Sequence, residues 1–363
     1  MKLLFLCTDA FGGRGGIAKF NRDLCQALSA EPLGAKITVF PISHPEEAMV
    51  GIPERVTYRT GSAGSRWKYV AVTAAAAIRK PRHTFNAVIC GHINLLPLAT
   101  LVSWIQGVPL WLIIHGIDAW KPHPSRWVRW SLSFVSAFVS VSQHTKDRFL
   151  EWAPLNDYQG HVIPNCIDTE PYGPGPKRSD LLERYGLHGK TVLVTLSRLA
   201  SDERYKGHDE VLEVLPDLAG DIPGIAYLIC GDGDDRPRLA AKAERLGISN
   251  RVVFAGYIPE DEKADHYRLA DTFVMPGRGE GFGIVYLEAL ACGVPVIASC
   301  ADASEETVRY GKLGTVVDPK DSHDLKQGIR RALCSDTGPP SGLGYFSFDR
   351  FVERWQHLLS HKL

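Results

Sequence analysis

The stretch Glu280-Gly-Phe-Gly-Ile-Val-Tyr-Leu-Glu288 lies where two sequence patterns meet. The continuous apolar run before it ends at Met275 and is typical of a buried parallel β-strand. A helical pattern begins near Gly283 and continues over residues 285–292. A strand, a glycine-rich loop and a helix in this order predict a parallel sheet covered by helices.

The same alternation continues along the rest of the chain, which predicts two doubly wound α/β domains. Amphipathic stretches separate the apolar runs, as in a repeated βα pattern. Ligands of such sheets bind at the carboxyl ends of the strands. The predicted strands are residues 3–7, 37–40, 87–90, 110–114, 138–141, 192–196, 226–230, 252–255, 272–275, 294–298 and 315–317.

A linker separates the predicted domains. Pro164-Asn-Cys-Ile-Asp168 leads into Gly173-Pro-Gly-Pro176, and such Gly/Pro-rich segments are typical of loops. We therefore expect a first domain at residues 1–165, completed by a C-terminal helix in 346–363, and a second domain at residues 166–345. The two domains are expected to face each other across a cleft.

The composition is that of an ordinary soluble globular protein, with 45% hydrophobic and 23% charged residues. Residues 1–163 hold 17 Lys+Arg and 10 Asp+Glu, whereas residues 164–344 hold 21 and 29. The basic first half suggests an anionic partner, although chance and solvation are an equal alternative. Eight scattered cysteines without a C-x-x-C pair predict reduced thiols and a cytoplasmic protein. The N-terminal apolar stretch is too short for a signal peptide, and no run reaches membrane-spanning length.

The loop before the helix at Gly283 predicts an anion site. The backbone N–H groups of Phe282, Gly283, Ile284 and Val285 have no intrahelical partner there, which suits a diphosphate. Glu280 and Glu288 would accept hydrogen bonds from sugar and ribose hydroxyls, whereas the alternative is a structural glycine loop whose Glu favours the helix dipole.

Cationic side chains follow the first strand of the second half. Arg198 and Lys206 suit a pyrophosphate, or they are two surface cations on a loop. Asp232-Gly-Asp234 has the D-x-D spacing of a metal site, but Asp and Gly also cluster in turns. We favour the turn and expect no metal and no cofactor.

In the first half, Gly13-x-Gly15-x-x-Ala18 is similar to a dinucleotide fingerprint. The next strand ends in Pro41 instead of the acidic residue that such a site needs, which speaks against this interpretation. His115 follows the strand at 110–114 and is either a cleft residue or a structural histidine. Asp118 is either an acceptor ligand or a helix N-cap.

Tryptophan and arginine alternate from Trp120 to Trp130. This pattern suits a membrane interface, and Trp120 is assigned to acceptor binding. The alternative is an aromatic patch that packs against its own domain. The basic residues expected to share this face are Arg66, Lys68, Arg79, Lys80 and Arg82.

The segment E-G-F-G-x-V-x-L-E-A-x-A-x-G-x-P-V resembles the E-x7-E signature of the retaining glycosyltransferase family 4, which has the GT-B fold of two Rossmann-like domains. Further similar motifs cover essentially the whole chain. The resemblance implies that Glu280 contacts the donor sugar, that Glu288 binds the ribose, and that Arg198 and Lys206 neutralise the departing diphosphate.

The resemblance implies roles for other residues as well. His115 would contact the donor sugar or orient the acceptor, and Tyr257 would follow the strand that lines the nucleobase pocket. Cys166 stands where the family's P-N-G-I/V-D hinge has glycine. The donor-binding residues implied are Gly15, Gly16, Gly281, Phe282, Gly283, Ile284, Val285, Glu288 and Tyr257.

We therefore expect a retaining hexosyltransferase that uses a UDP-sugar or GDP-mannose. Its acceptor is expected to be a lipid-linked saccharide of bacterial exopolysaccharide or lipopolysaccharide synthesis, with the enzyme peripheral on the inner face of the cytoplasmic membrane. Alternatives are a small soluble acceptor, a nucleotide-sugar epimerase of the same fold, and a non-catalytic sugar-nucleotide or lipid-binding module. No motif indicates the pyridoxal lysine of a phosphorylase-like enzyme, and nucleic acid is not an expected partner.

Overall fold

The computed structural model describes residues 1–43 and 49–362. Its contacts divide the chain into two units, Met1–Cys166 with Phe348–Leu363, and Ile167–Ser347. Each unit is built around one parallel sheet, so the predicted pair of doubly wound domains is confirmed.

The first unit holds a seven-stranded parallel sheet in the order β3-β2-β1-β4-β5-β6-β7. Its central strands are continuous apolar runs with buried side chains, as a sheet covered on both faces requires. The strands are β1 Lys2–Cys7, β2 Lys36–Pro41, β3 Val56–Tyr58, β4 Ala87–Cys90, β5 Leu110–Ile114, β6 Val135–Ser140 and β7 Gly160–Val162.

Helices cover this sheet by burying one stripe each. In the second helix Tyr69, Thr73 and Ala77 are buried at a spacing of four, which is the repeat of a single helix face. The helices are α1 Gly15–Ser29, α2 Arg66–Ile78, α3 Leu96–Gln106, α4 Arg126–Ser131 and α5 Gln143–Leu150.

The second unit holds a six-stranded parallel sheet in the order β10-β9-β8-β11-β12-β13. Its strands are β8 Thr191–Leu196, β9 Ile225–Cys230, β10 Val252–Gly256, β11 Thr272–Val274, β12 Val296–Ser299 and β13 Thr315–Val317. Its helices are α6 Ser179–Arg184, α7 His208–Asp221, α8 Arg236–Arg245, α9 Lys263–Arg268, α10 Ile284–Ala291, α11 Ser304–Thr307 and α12 Ser322–Leu333.

The last helix, α13 Phe348–Lys362, belongs to the first unit. Its Phe351 ring meets Phe20 of α1 edge-on, with the ring centroids 5.8 Å apart. Just before it, Ser347 bridges to Ile167, whose N–H donates to the Phe346 carbonyl at 2.8 Å. The two connections between the units therefore run side by side.

The strand order reverses once in each sheet, between β1 and β4 and between β8 and β11. Ligands of doubly wound sheets bind outside the carboxyl ends of the strands at such points. The loops after these four strands are therefore where each unit is expected to hold a ligand.

Several details differ from the sequence predictions. Strands β3 and β7 were not predicted, because a polar residue, Thr57 in β3 and His161 in β7, interrupts the apolar run in the middle of each. The segment between β10 and β11 begins with a 3₁₀ turn, Glu260–Glu262, before α9. All eight cysteines are free thiols, as predicted. In the part of the chain that the structure describes, no helix combines the length and the apolar character needed to cross a membrane.

Candidate active site

The glycine-rich loop after β11 is held in a backbone shape that few other residues could adopt. Gly283 precedes α10 with φ +84°, and a Cβ there would come within 2.5 Å of the Tyr286 ring. The Tyr286 hydroxyl in turn donates to the Met275 carbonyl at 2.5 Å. The loop and the first turn of α10 are therefore fixed to the end of β11.

The predicted anion site lies at this helix start. Gly283, Ile284 and Val285 are partly exposed, whereas Gly281 and Phe282 are buried. The Phe282 carbonyl accepts a hydrogen bond from Thr307 Oγ1. The first N–H groups of a helix have no intrahelical partner and carry its positive dipole end, so α10 presents an anion-binding terminus at its partly exposed positions.

Glu280 and Lys206 form an ion pair in this loop region. Their side chains are 11% and 16% exposed. Burial lowers the pKa of Lys206, but the neighbouring Glu280 carboxylate outweighs it and the pKa is raised. Strands β8 and β11 are neighbours, so two residues 74 positions apart meet at the reversal point of the sheet. The structure therefore brings together a carboxylate and a cation that the sequence predicted separately.

Asp302 holds the Glu280 loop in place, and the sequence analysis missed it. Its Oδ2 accepts the backbone N–H groups of Gly279 at 3.0 Å and Glu280 at 2.9 Å, while its Oδ1 binds the Ser304 hydroxyl at 2.6 Å. Burial, with the nearby charge of Glu280, raises the pKa of Asp302 to about 6. No local pattern marks this role, because the loop N–H groups that Asp302 binds lie 22 and 23 positions away.

Arg198 lies beyond the end of β8 and is paired with Glu203. Its side chain is 79% exposed, so it contributes charge near the surface of the unit. The predicted contact of Arg198 with a pyrophosphate stays a prediction.

A buried hydrogen-bonded chain supports the end of β8. His208, at the start of α7, bonds the Ser197 hydroxyl at 2.8 Å and the Tyr227 hydroxyl at 3.0 Å. Tyr227 also bonds Thr195 Oγ1 at 2.7 Å. Burial lowers the pKa of His208 to about 4, so the ring is neutral near pH 7. The sequence did not predict this hydrogen-bonded network, since its members look like ordinary core residues.

Glu288 lies inside α10, as predicted, but it is almost fully buried at 1% exposure. It accepts a hydrogen bond from the Tyr267 hydroxyl at 2.7 Å and faces Tyr172. Burial lowers the pKa of Lys263, but Glu288 and Glu260 raise it more. A contact of Glu288 with ribose hydroxyls stays a prediction, and in this structure tyrosines meet the carboxylate. Tyr257, 56% exposed, follows β10.

In the first unit, α1 begins at Gly15 with φ +85°, a left-handed angle that favours glycine. A Cβ at Gly16 would meet nothing within 4 Å. A Cβ at Gly13 would instead strike the Asp9 carboxylate at 2.6 Å. Strand β2 does end at Pro41, which was the reason for disfavouring a dinucleotide site.

His115 follows β5, and its Nε2 bonds the Gly91 carbonyl at 2.9 Å. Its ring meets Phe20 edge-on at 5.1 Å and lies 6.4 Å from the ring of His92. Burial lowers the pKa of His115 to about 4. The end of β5 therefore carries a neutral imidazole near pH 7.

Asp118 and Trp120 are held within the first unit. Burial raises the pKa of Asp118 to about 7, although nearby backbone N–H groups partly oppose this. The helix N-cap alternative for Asp118 is wrong, because α4 begins at Arg126 after the N-cap Ser125. Trp120 is buried, and its N–H donates to Thr145 Oγ1 at 3.0 Å, so little of its ring is available to an acceptor.

The aspartates of Asp232-Gly-Asp234 hydrogen-bond to backbone and hydroxyl groups in and beside a turn. Asp232 accepts the Gly233 N–H at 3.0 Å, and Asp234 accepts the N–H and hydroxyl of Ser201 at 2.8 Å and 2.7 Å. These contacts are those of the turn favoured from the sequence, and both carboxylates are occupied by neighbouring groups.

Solved structures of other proteins have the same fold as this chain. Anabaena Alr3699/HepE, solved in complex with UDP and glucose, covers 99% of both chains at 23% identity with a TM-score of 0.75. Sucrose-phosphate synthase of Thermosynechococcus elongatus aligns with a TM-score of 0.77 at 18% identity, covering 99% of both chains. These likenesses show the fold, which is the predicted GT-B fold.

Family models match both halves of the chain. "Glycosyltransferase Family 4" matches residues 14–171 and "Glycosyl transferases group 1" matches residues 181–339. D-inositol 3-phosphate glycosyltransferase of Geodermatophilus obscurus is 31% identical over 388 aligned positions, 94% of this chain and 84% of the relative. The chain therefore belongs to glycosyltransferase family 4, and the family prediction is confirmed.

Another relative is more similar over a shorter region. The GDP-mannose-dependent alpha-(1-6)-phosphatidylinositol monomannoside mannosyltransferase of Mycolicibacterium smegmatis is 38% identical over 224 residues. The match covers 60% of this chain and 57% of the relative. The chain thus spans little more than half the length of this mannosyltransferase.

Proposed function

We propose that the protein transfers a hexose from a nucleoside diphosphate sugar to a hydroxyl of an acceptor. The observation that carries the proposal is the Lys206–Glu280 pair beside the N-terminus of α10. A cation and free backbone N–H groups suit the diphosphate, and a carboxylate suits the hydroxyls of the sugar. No metal is needed in this proposal, because Lys206, Arg198 and the helix terminus supply positive charge.

The donor is either GDP-mannose or a UDP-sugar. The name of the Mycolicibacterium relative favours GDP-mannose, and the Anabaena complex contains UDP and glucose. GDP-mannose is the first donor to test, because that relative is 38% identical whereas the Anabaena chain is 23% identical.

The reaction proposed breaks the bond between the anomeric carbon and the diphosphate oxygen. The acceptor hydroxyl oxygen bonds that carbon on the same face, and its proton passes to the departing phosphate oxygen. Lys206 leaves its ion pair with Glu280 to stabilise the diphosphate as negative charge develops. Retention of configuration is part of the proposal. A covalent sugar trapped on Glu280 and seen by mass spectrometry would contradict this step.

The proposed acceptor is a lipid-linked saccharide, which suits a peripheral location on the inner face of the cytoplasmic membrane. The Mycolicibacterium relative supports this class, since its name describes a phosphatidylinositol mannoside acceptor. A small soluble acceptor is the second candidate, because a relative named as a D-inositol 3-phosphate glycosyltransferase aligns over 94% of this chain.

The test is release of nucleoside diphosphate from GDP-mannose, UDP-glucose, UDP-galactose and UDP-GlcNAc, each with and without acceptors. Candidate acceptors are a phosphatidylinositol monomannoside in mixed micelles, an undecaprenyl-linked saccharide and inositol 3-phosphate. We expect one donor to be consumed, faster with one acceptor. Conversion of the donor sugar into an epimer without acceptor would support an epimerase, and tight binding without turnover would support a binding module.

A further inference from the structure

Four tryptophans of the first unit face solvent. Trp67 of α2 is 85% exposed, Trp104 of α3 is 73% exposed, and Trp127 and Trp130 of α4 are 64% and 56% exposed. Indole rings contribute large apolar areas and are normally buried except for a polar edge. Exposure of four such rings on one unit suggests a surface that meets something other than water.

The three helices bear these rings on one side of the first unit. Helix α2 packs against α3, and α3 packs against α4. Their inward residues, including Tyr69, Val102 and Val128, join a single core cluster with strands β4 and β5. The outward residues of all three helices therefore project away from the same face of the sheet. We call this surface, defined by Trp67, Trp104, Trp127 and Trp130, the tryptophan face.

Other apolar side chains extend the tryptophan face. Trp127 and Trp130 meet edge-on at 6.3 Å, and Trp130 meets Phe134 at 4.7 Å. Leu101 of α3 is 43% exposed and Phe134 is 47% exposed. The apolar surface thus reaches beyond the indole rings themselves.

The charge around this face has one sign. From the start of α2 to the end of α4, residues 66–131 contain eight Lys and Arg but one acidic residue, Asp118, which is only partly exposed. Within residues 1–43 and 49–362, the exposed cations at both ends of α2 and at the start of α4 form no ion pair with a carboxylate. These are Arg66, Lys68, Arg79, Lys80, Arg82 and Arg126. The Arg126 guanidinium lies over the Trp127 ring, 6.0 Å from its centroid.

We propose that the tryptophan face docks the protein on a bilayer that contains anionic lipids. Tryptophan is enriched at membrane–water interfaces, where its ring lies among the lipids and its N–H remains hydrogen-bonded to water or headgroups. Arg and Lys beside such rings are attracted to anionic headgroups. A second copy of the chain fits less well, because a symmetric contact would bring like charges together.

The docking surface does not depend on the donor or on the chemistry proposed above. It has a consequence for that chemistry, however. Docking through the first unit brings the enzyme to the membrane in which a lipid-linked acceptor would lie. Binding to vesicles can be measured without turnover, so failure of either proposal is distinguishable from failure of the other.

The test is sedimentation of the full chain with vesicles of phosphatidylcholine alone or of an equal mixture with phosphatidylglycerol. We expect binding to the mixed vesicles that weakens with salt. In the double variant W67S/W104S, binding should fall by at least about tenfold, because two rings that would be buried in the membrane interface are lost. In R79E/K80E, which keeps every tryptophan, binding to mixed vesicles also falls by about tenfold.

The matched control is Y158S, which removes a 71% exposed aromatic ring of the first unit outside the tryptophan face. Its binding should equal that of the wild type, and circular dichroism should show that every variant is folded. Equal binding by all variants, or no binding by the wild type, would overturn the proposal. A dimer that W67S/W104S converts to monomer, without vesicle binding, would assign the face to a second copy instead.

Discussion

The carboxyl edges of the two sheets differ in the charge they present. In the second unit Lys206 and Glu280 form an ion pair, and both remain largely shielded from water. In the first unit burial lowers the pKa of His115 to about 4 and raises that of Asp118 to about 7. The second unit thus holds an ionised pair at this edge, although burial also disfavours charge on His208 and Asp302 there. In the first unit burial disfavours the charged forms of both His115 and Asp118.

This difference fits two kinds of ligand. A nucleoside diphosphate carries charge that must be matched, and the second unit offers cations and a helix terminus. A saccharide acceptor is a neutral set of hydroxyls, for which a neutral imidazole and carbonyl oxygens are suitable partners. The comparison therefore predicts that charge changes matter most in the second unit.

The largest effect is expected for Glu280→Gln, which keeps the shape of the side chain but removes its charge. Lys206 then loses its charged partner, and the donor sugar loses one of the two oxygens that can accept its hydrogen bonds. We expect kcat to fall by about 100- to 1000-fold, measured as nucleoside diphosphate release. Glu244→Gln, an exposed change in α8, is the control and should be silent. Full activity in the Glu280 variant would contradict the proposal that the second unit depends on this charge.

The next largest effect is expected for Asp302→Asn, which replaces one acceptor of the loop N–H groups by an amide. We expect kcat to fall by about tenfold and the free energy of unfolding by about 1–3 kcal/mol. The pKa of Asp302 is about 6, so the wild-type carboxylate is charged above pH 6 and protonated below it.

The wild-type rate should therefore fall on the acid side with a midpoint near pH 6. The Asp302→Asn variant should lack that acid limb, because an amide does not titrate. An unchanged acid limb in the variant would show that another group controls it, and a merely structural role would lower stability without altering the profile.

A smaller effect is expected for Glu288→Gln in α10. If Glu288 binds ribose hydroxyls, the KM for the donor should rise by about tenfold while kcat changes little. Tyr267→Phe removes the hydroxyl that contacts Glu288 and serves as the comparison. Loss of stability in both variants with no change in KM would assign Glu288 a structural role.

The smallest effect is expected for His115→Gln in the first unit. We expect transfer to acceptor to slow by about fivefold, the worth of roughly one hydrogen bond. Because the pKa of His115 is about 4, its ring is neutral at pH 6 and at pH 8. The ratio of wild-type to variant rates should therefore be the same at both values, and a ratio that changes between them would contradict a neutral first-unit edge.

The sequence was most informative where function needs a fixed backbone. The apolar run that ends at Met275 predicted the strand, and the stretch from Glu280 to Glu288 predicted the glycine loop and the helix. The structure explains the glycine at position 283, because its backbone has a left-handed φ that favours glycine. The other eleven strands were also predicted, since buried parallel strands are read as apolar runs. The short edge strand β3 was missed because burial there alternates over only three residues.

Long-range contacts could not be predicted in this way. Asp302 and His208 meet their partners through the sheet topology, and neither lies in a distinctive local motif. Trp120 is a different case, because its sequence context of arginines and tryptophans predicted a surface residue. In the structure Trp120 is buried, and its N–H donates a hydrogen bond to Thr145. The exposed Trp67 and Trp104 were not singled out, because a helical pattern does not show which apolar residues lack a neighbour.

The central claim is that the charged loop of the second unit binds the donor. The most direct measurement is calorimetric titration of GDP-mannose and UDP-glucose into the wild type, Lys206→Met and the exposed control Lys320→Met. We predict that one donor binds the wild type and Lys320→Met equally, and binds Lys206→Met at least about tenfold more weakly. Equal affinity in a folded Lys206→Met variant, or no binding of either donor to the wild type, would contradict the account.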